Sequence, residues 1–157
     1  CALQDNEALA RMAPDSLGRT YLEFMRGQNL SAEALVQASD AAESGVWPDG
    51  FSLYRERMRD MHDLTHVLTG YGRDPLGELC LLAFMFAHSH NPGVAMIVAM
   101  GLFRLPGRRA VFEAWRNGRK AEWLPGLDWE SMLAQPLDVL RRKTKIAEPV
   151  RYLAPQP

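Results

Sequence analysis

Four residues of this chain have the types and spacing to hold a metal ion: His62, Asp63, His66 and Glu78. Histidines four apart on a helix stand on one face, one turn apart, so two ring nitrogens can meet a single cation. Asp63, three residues before His66, brings a carboxylate toward the same point from the side. Glu78 joins them across a turn. His66 lies four residues before Gly70 and Glu78 four residues after Asp74, so in an antiparallel helix hairpin both stand about 6 Å from the bend. Gly72 and Gly77 let the two backbones approach. A pair of histidines at this spacing is, by itself, more often two hydrogen-bonded side chains than a ligand pair. The two carboxylates change the balance, because a partly buried Asp and Glu side by side repel unless a cation neutralises them. The set implies one divalent ion, zinc or iron(II), with manganese or magnesium also open, and two oxygen ligands leave room for water or substrate.

The elements that must position these residues are helices. Helix formers dominate, Val, Ile and Thr are sparse, and no stretch alternates apolar and polar residues for long enough to make a strand. The pattern predicts an all-α fold, a single-domain bundle of about seven to eight helices with the metal site on a helix hairpin. A first helix is expected over Ala2–Met12, ended by Pro14. A second follows a cap at Asp15 or Ser16 and ends at Gly27, and a third runs from a Ser31 cap to about Glu43. Pro48 and Asp49 open the longest helix, which runs to Gly70 with Phe51, Tyr54, Met58, Met61, Thr65 and Leu68 as its apolar stripe. His62 and His66 flank that stripe and should be partly buried. Helices are then expected from Pro75 to about His90, from Gly93 to Phe103, and from Pro106 to about Lys120. A short one capped by Asp128 restarts at Pro136, with Leu137, Leu140 and Ile146 inward. Residues 1–13 read as a flank, 14–146 as the metal-binding domain and 147–157 as an extended tail.

Composition narrows the function classes. The 157 residues carry 18 basic and 19 acidic side chains, a formal charge of -1, which removes the general electrostatic case for nucleic acid. Cys1 and Cys80 are too few for a disulfide framework; Cys80 sits in an apolar run and reads as a buried free thiol in a reducing compartment. The start at Cys1 is expected to be internal to a longer protein, a lipidated terminal Cys being the lesser reading. Leu79–Phe103 is interrupted by His88, His90, Asn91 and Pro92, and each flank falls short of the roughly 20 residues a membrane span needs. Gly93–Phe103 is therefore either a central core helix or, through Val94, Met96, Ile97, Met100, Leu102 and Phe103, a wall for a lipid tail or a membrane-touching surface. His88 and His90 stand on opposite sides of their helix and read as C-capping residues. Arg55, Arg57 and Arg59, and likewise Arg104, Arg108, Arg109 and Arg116, read as solvated surface, with acidic or lipid head groups as the sharper alternative.

The run Met61-His62-Asp63-Leu64-Thr65-His66, followed after eleven residues by Glu78, resembles the H-D-x-x-H, eleven residues, E signature of the fourth Coq family of ubiquinone (coenzyme Q) biosynthesis. Ser16–Tyr21, Phe24-Met25 and Tyr54–Arg57 upstream, with Trp115, Trp123 and Val139–Arg141 to Ile146 downstream, extend the similarity over roughly residues 14–146. The resemblance implies the same four ligands and a role on the quinone head group. That role is removal of the ring carboxylate from a polyprenylated hydroxybenzoate-type precursor, coupled to hydroxylation at the same carbon. It further implies a homo-oligomer that works with other quinone-biosynthesis proteins, cytoplasmic or peripheral on the inner face of the inner membrane. A non-catalytic prenyl-lipid-binding scaffold is the alternative. A metal-dependent phosphohydrolase ranks last, because no second His-Asp dyad is present.

Overall fold

The computed structural model describes residue 3, residues 5–27 and residues 49–153. Over these the chain is all helical, with eight α-helices and no strand. They are α1 (Asn6–Arg11), α2 (17–27), α3 (Asp49–Thr69), α4 (Pro75–Ser89), α5 (Pro92–Arg104), α6 (Arg108–Lys120), α7 (Trp129–Met132) and α8 (Leu137–Thr144). A 3-10 turn at Leu124–Gly126 occupies the loop expected there. The helix expected over residues 31–43 lies outside the described residues, as does all of 28–48. Two compact units emerge, residues 1–64 with 129–136 and residues 65–128 with 137–157, and α3 is continuous across the division.

In the first unit, α1 starts later than its composition predicts because Asp5 caps it, accepting from the Ala8 amide at 2.9 Å. Ser16 caps α2 in the same way, its hydroxyl accepting from the Arg19 amide at 3.2 Å. The first amides of α2 lack partners within the helix; those of Leu17 and Gly18 donate to the carbonyls of Gln135 and Leu133 at 3.0 and 2.8 Å. Leu9, Leu17, Leu22, Met132 and Leu133 are buried here.

In the second unit the core is α4 against α6. Leu79, Leu81, Ala83 and Phe84 of α4 are buried, as are Ala110, Val111 and Ala114 of α6. Gly118 permits the close approach, since a Cβ there would stand 2.4 Å from the Phe84 carbonyl oxygen. Gly107, at φ +110°, turns the chain into α6 in a conformation that L side chains rarely adopt. Asp74 and Asn91 cap α4 and α5, each with proline at the first turn; the start at Pro75 is the one the sequence predicts, while α5 begins one residue before the expected Gly93. Leu140 and Ile146 point inward as expected, while Leu137 is half-buried.

Of the two readings of Gly93–Phe103, the central core helix fails. This helix, α5, buries none of its residues; Met96, Ile97, Met100 and Phe103 are exposed. Apolar content on nearly every side showed what the helix could bury and not whether the fold had a partner for it.

Candidate metal centre

Gly70, at φ +80°, ends α3, its amide donating to the His66 carbonyl at 2.8 Å. Four residues later the Asp74 carboxylate accepts from the amides of Leu76 and Gly77, both at 3.1 Å, and opens α4. The intervening turn depends on Gly77: a Cβ there would meet the Gly72 carbonyl oxygen at 2.2 Å. With the turn closed this way, Nε2 of His66 lies 3.3 Å from Oε1 of Glu78. His62 stands one turn before His66 on the same helix, and ligand atoms of His62, His66 and Glu78 all lie within 4.8 Å of one another.

The environment of His66 shows what such a cluster can do. The ring is buried, and its Nδ1 lies 2.9 Å from the Tyr71 carbonyl oxygen. A carbonyl only accepts, so Nδ1 carries the proton and donates. In the neutral ring Nε2 is then a lone pair directed toward a carboxylate oxygen. Two acceptors at this distance are reconciled by a cation between them or by protonation of the ring. A backbone carbonyl on the far nitrogen is also the usual orienting partner of a metal-bound histidine. Two imidazole nitrogens and a carboxylate oxygen suit zinc or iron(II) and leave coordination positions open. The donor set therefore fits the implied ion.

Of the four residues read from the sequence, three converge. Asp63 is buried, with its carboxylate 3.6 Å from Nδ1 of His62, outside the convergent group. His66 is more deeply buried than its place at the stripe's edge predicts, whereas Glu78 keeps 36% of its side chain exposed and gives the cluster an open side. Cys80, two residues on, is buried as expected, and burial pushes its thiol up to about 12. His90 takes the left-handed C-cap position of α4 and donates its amide to the Phe86 carbonyl. His88 packs against the Phe84 ring at 5.4 Å between centroids; burial, then the neighbouring His90, holds it below its ordinary value.

Of the six residues read as a lipid wall, Leu102 alone lines the apolar cavity between α4, α5 and α6. Met96, Ile97, Met100 and Phe103 face outward and Val94 is half-buried. That cavity, of about 370 Å³, is lined by Phe86 of α4, Val98 and Leu102 of α5, and Val111, Phe112 and Trp115 of α6. Only knowledge of which helices neighbour one another could have assembled that set. Beside it a groove of about 810 Å³ is lined by Arg108, Arg109, Arg116, Lys120 and Arg151. Tyr71, which orients His66 through its backbone, leaves no mark in a sequence.

The family model described as coenzyme Q (ubiquinone) biosynthesis protein Coq4 matches residues 2–150. The chain belongs to this family. Ubiquinone biosynthesis proteins COQ4, mitochondrial, from Yarrowia lipolytica and from Danio rerio are each 29% identical to it, over 92% of this chain and 56% and 54% of their own length. The chain thus spans about half the length of these curated Coq4 relatives. The crystal structure of a candidate ubiquinone biosynthesis protein from Nostoc punctiforme has the same fold, with a TM-score of 0.64 at 20% identity, covering 92% of this chain and 69% of that one. Among the described residues no helix is long and apolar enough to cross a membrane.

Proposed function

We propose that this Coq4-family chain acts in ubiquinone biosynthesis as a metal-dependent oxidative decarboxylase of the quinone head group. The supporting observation is the convergence of His62, His66 and Glu78 with one open side, in a chain of this family. The proposed substrate is a polyprenylated hydroxybenzoate-type precursor. Its ring carbon loses the carboxyl as carbon dioxide and gains a hydroxyl oxygen from dioxygen, whose second oxygen leaves as water with two protons and two electrons from an external electron donor. A bound divalent ion would supply Lewis acidity toward the substrate's phenolate and carboxylate oxygens. His62, His66 and Glu78 would hold it, and Asp63, 3.6 Å from Nδ1 of His62, would either add an oxygen ligand or orient the His62 ring. The Tyr71 carbonyl keeps the His66 proton on Nδ1 and so keeps Nε2 available.

The prenyl tail is assigned to the apolar cavity between α4, α5 and α6, and to the exposed face of α5. That face, with Arg104, Arg108, Arg109 and Arg116 close by in sequence and exposed, suits peripheral contact with an anionic membrane surface. A scaffold that presents the prenylated intermediate to other quinone-biosynthesis proteins is the second reading, favoured by the extent of exposed apolar surface on α5.

The test uses a short-prenyl hydroxybenzoate carrying a labelled carboxyl, incubated in air with an added electron donor such as ascorbate and protein loaded with iron(II) or with zinc. Labelled carbon dioxide together with the hydroxylated ring, both lost in Glu78→Gln, is the expected result. Tight binding without turnover in either metal form would replace the enzyme with the scaffold.

A further inference from the structure

The segment after α8 reaches the turn that separates His66 from Glu78. Arg141 donates from Nε to the Leu68 carbonyl at 2.8 Å and from Nη2 to the Val67 carbonyl at 3.4 Å, at the C-terminal end of α3, where carbonyls lack partners within the helix. Its Nη1 pairs with Glu148. Pro149 packs on Gly70, with its Cδ 3.3 Å from where a Cβ would stand. Tyr152 completes the strap. It is buried, its hydroxyl accepts from the Gly72 amide at 3.0 Å, and the same hydroxyl donates to Oδ2 of Asp74. The other oxygen of Asp74 caps α4, the helix that carries Glu78. The Tyr152 ring meets Tyr71 edge-on at 5.6 Å between centroids, and the Tyr71 carbonyl is the acceptor for His66.

One phenol therefore ties the middle of the turn to the cap of α4 and packs against the residue that sets the His66 tautomer. We propose that Tyr152 is a positioning residue for the His66–Glu78 pair, holding the 70–74 turn in the geometry that directs Nε2 of His66 at Glu78. This rests on the reading of those two side chains as ligands. Burial, and then the bond to Asp74, push the phenol well above its ordinary range, so the hydroxyl stays protonated and able to donate. A merely structural Tyr152 would add stability and leave the His66 ring unaffected.

Tyr152→Phe removes the hydroxyl and keeps the ring. In the metal-free chain, long-range proton–nitrogen correlations report which nitrogen of His66 bears the proton; in zinc-loaded chain, competition with a chromophoric chelator reports affinity. Wild type should show His66 fixed as the Nδ1–H form. The variant should show a mixture of tautomers and about tenfold weaker zinc binding, with unchanged helix content. Wild-type tautomer and wild-type affinity in a folded variant would overturn the proposal. If wild type itself takes up no zinc, the ligand reading falls, and the tautomer comparison still decides whether Tyr152 positions His66. Should the variant not fold, amide exchange in wild type decides, because a Gly72 amide that exchanges as fast as an open one is not held by Tyr152.

Discussion

Around the turn between α3 and α4, polar side chains go inward: Thr65, His66 and Thr69 are all buried. Along α5, apolar side chains go outward, and Phe103 keeps 85% of its surface exposed. A buried polar group left unpaired costs about 1–3 kcal/mol. The turn avoids that cost through specific bonds, the Thr69 hydroxyl to the Thr65 carbonyl at 2.7 Å and His66 to Tyr71. Exposed apolar surface forgoes about 25 cal/mol per Å², and among the described residues nothing recovers it on α5. Stability alone favours neither region, which is why both read as working parts of the molecule.

The largest expected effect comes from removing the centre of the first region. His66→Ala should weaken metal binding by more than about a hundredfold, as read by plasma mass spectrometry after dialysis and by titration. Retained metal would break the contrast, leaving the turn a packing device. Gly77→Ala comes next. With a Cβ 2.2 Å from the Gly72 carbonyl oxygen, urea unfolding should show a loss of about 2 kcal/mol or more, with weaker metal binding alongside. An unchanged midpoint would mean that the turn is looser than its contacts require.

His88 extends the inward polar pattern to the far end of α4. Its folded-state value lies below the ordinary 6.5, so the unfolded chain takes up the proton first and stability must fall as pH drops below about 6.5. Urea midpoints measured between pH 8 and pH 5 should decline less in His88→Gln than in wild type. The smallest expected effect on stability sharpens the comparison from its other side. Met96→Ser, Ile97→Ser and Met100→Ser combined should shift unfolding by no more than about 0.5 kcal/mol per site and yet reduce sedimentation with anionic vesicles. A large loss of stability would return α5 to the core.

Three of the four residues read as ligands converge, and that convergence was legible because its information is local. His62 and His66 are related by helix periodicity, and Glu78 follows from equal distances to a turn marked by Gly70, Asp74 and Pro75. Helix starts were legible where Ser16 offered a side-chain cap and Pro75 a first-turn proline, whereas the capping roles of Asp74 and Asn91 were not read. The exposure of α5 was not legible, because periodicity fixes which faces are apolar while burial depends on which helices pack together. Tyr152 was missed for the same reason. Its partners lie 78 and 80 residues away, and the only local sign was a lone aromatic between Pro149 and Pro155 in an otherwise plain tail.

That separation bears on the order of events during synthesis. A chain made from its N-terminus presents His62, His66 and Glu78 to the cell dozens of residues before Arg141 and Tyr152 leave the ribosome. Distant contacts form late because the intervening chain must first be gathered. The His66–Glu78 pair is therefore expected to reach its final geometry last, on a bend that stays unclasped until the closing segment docks.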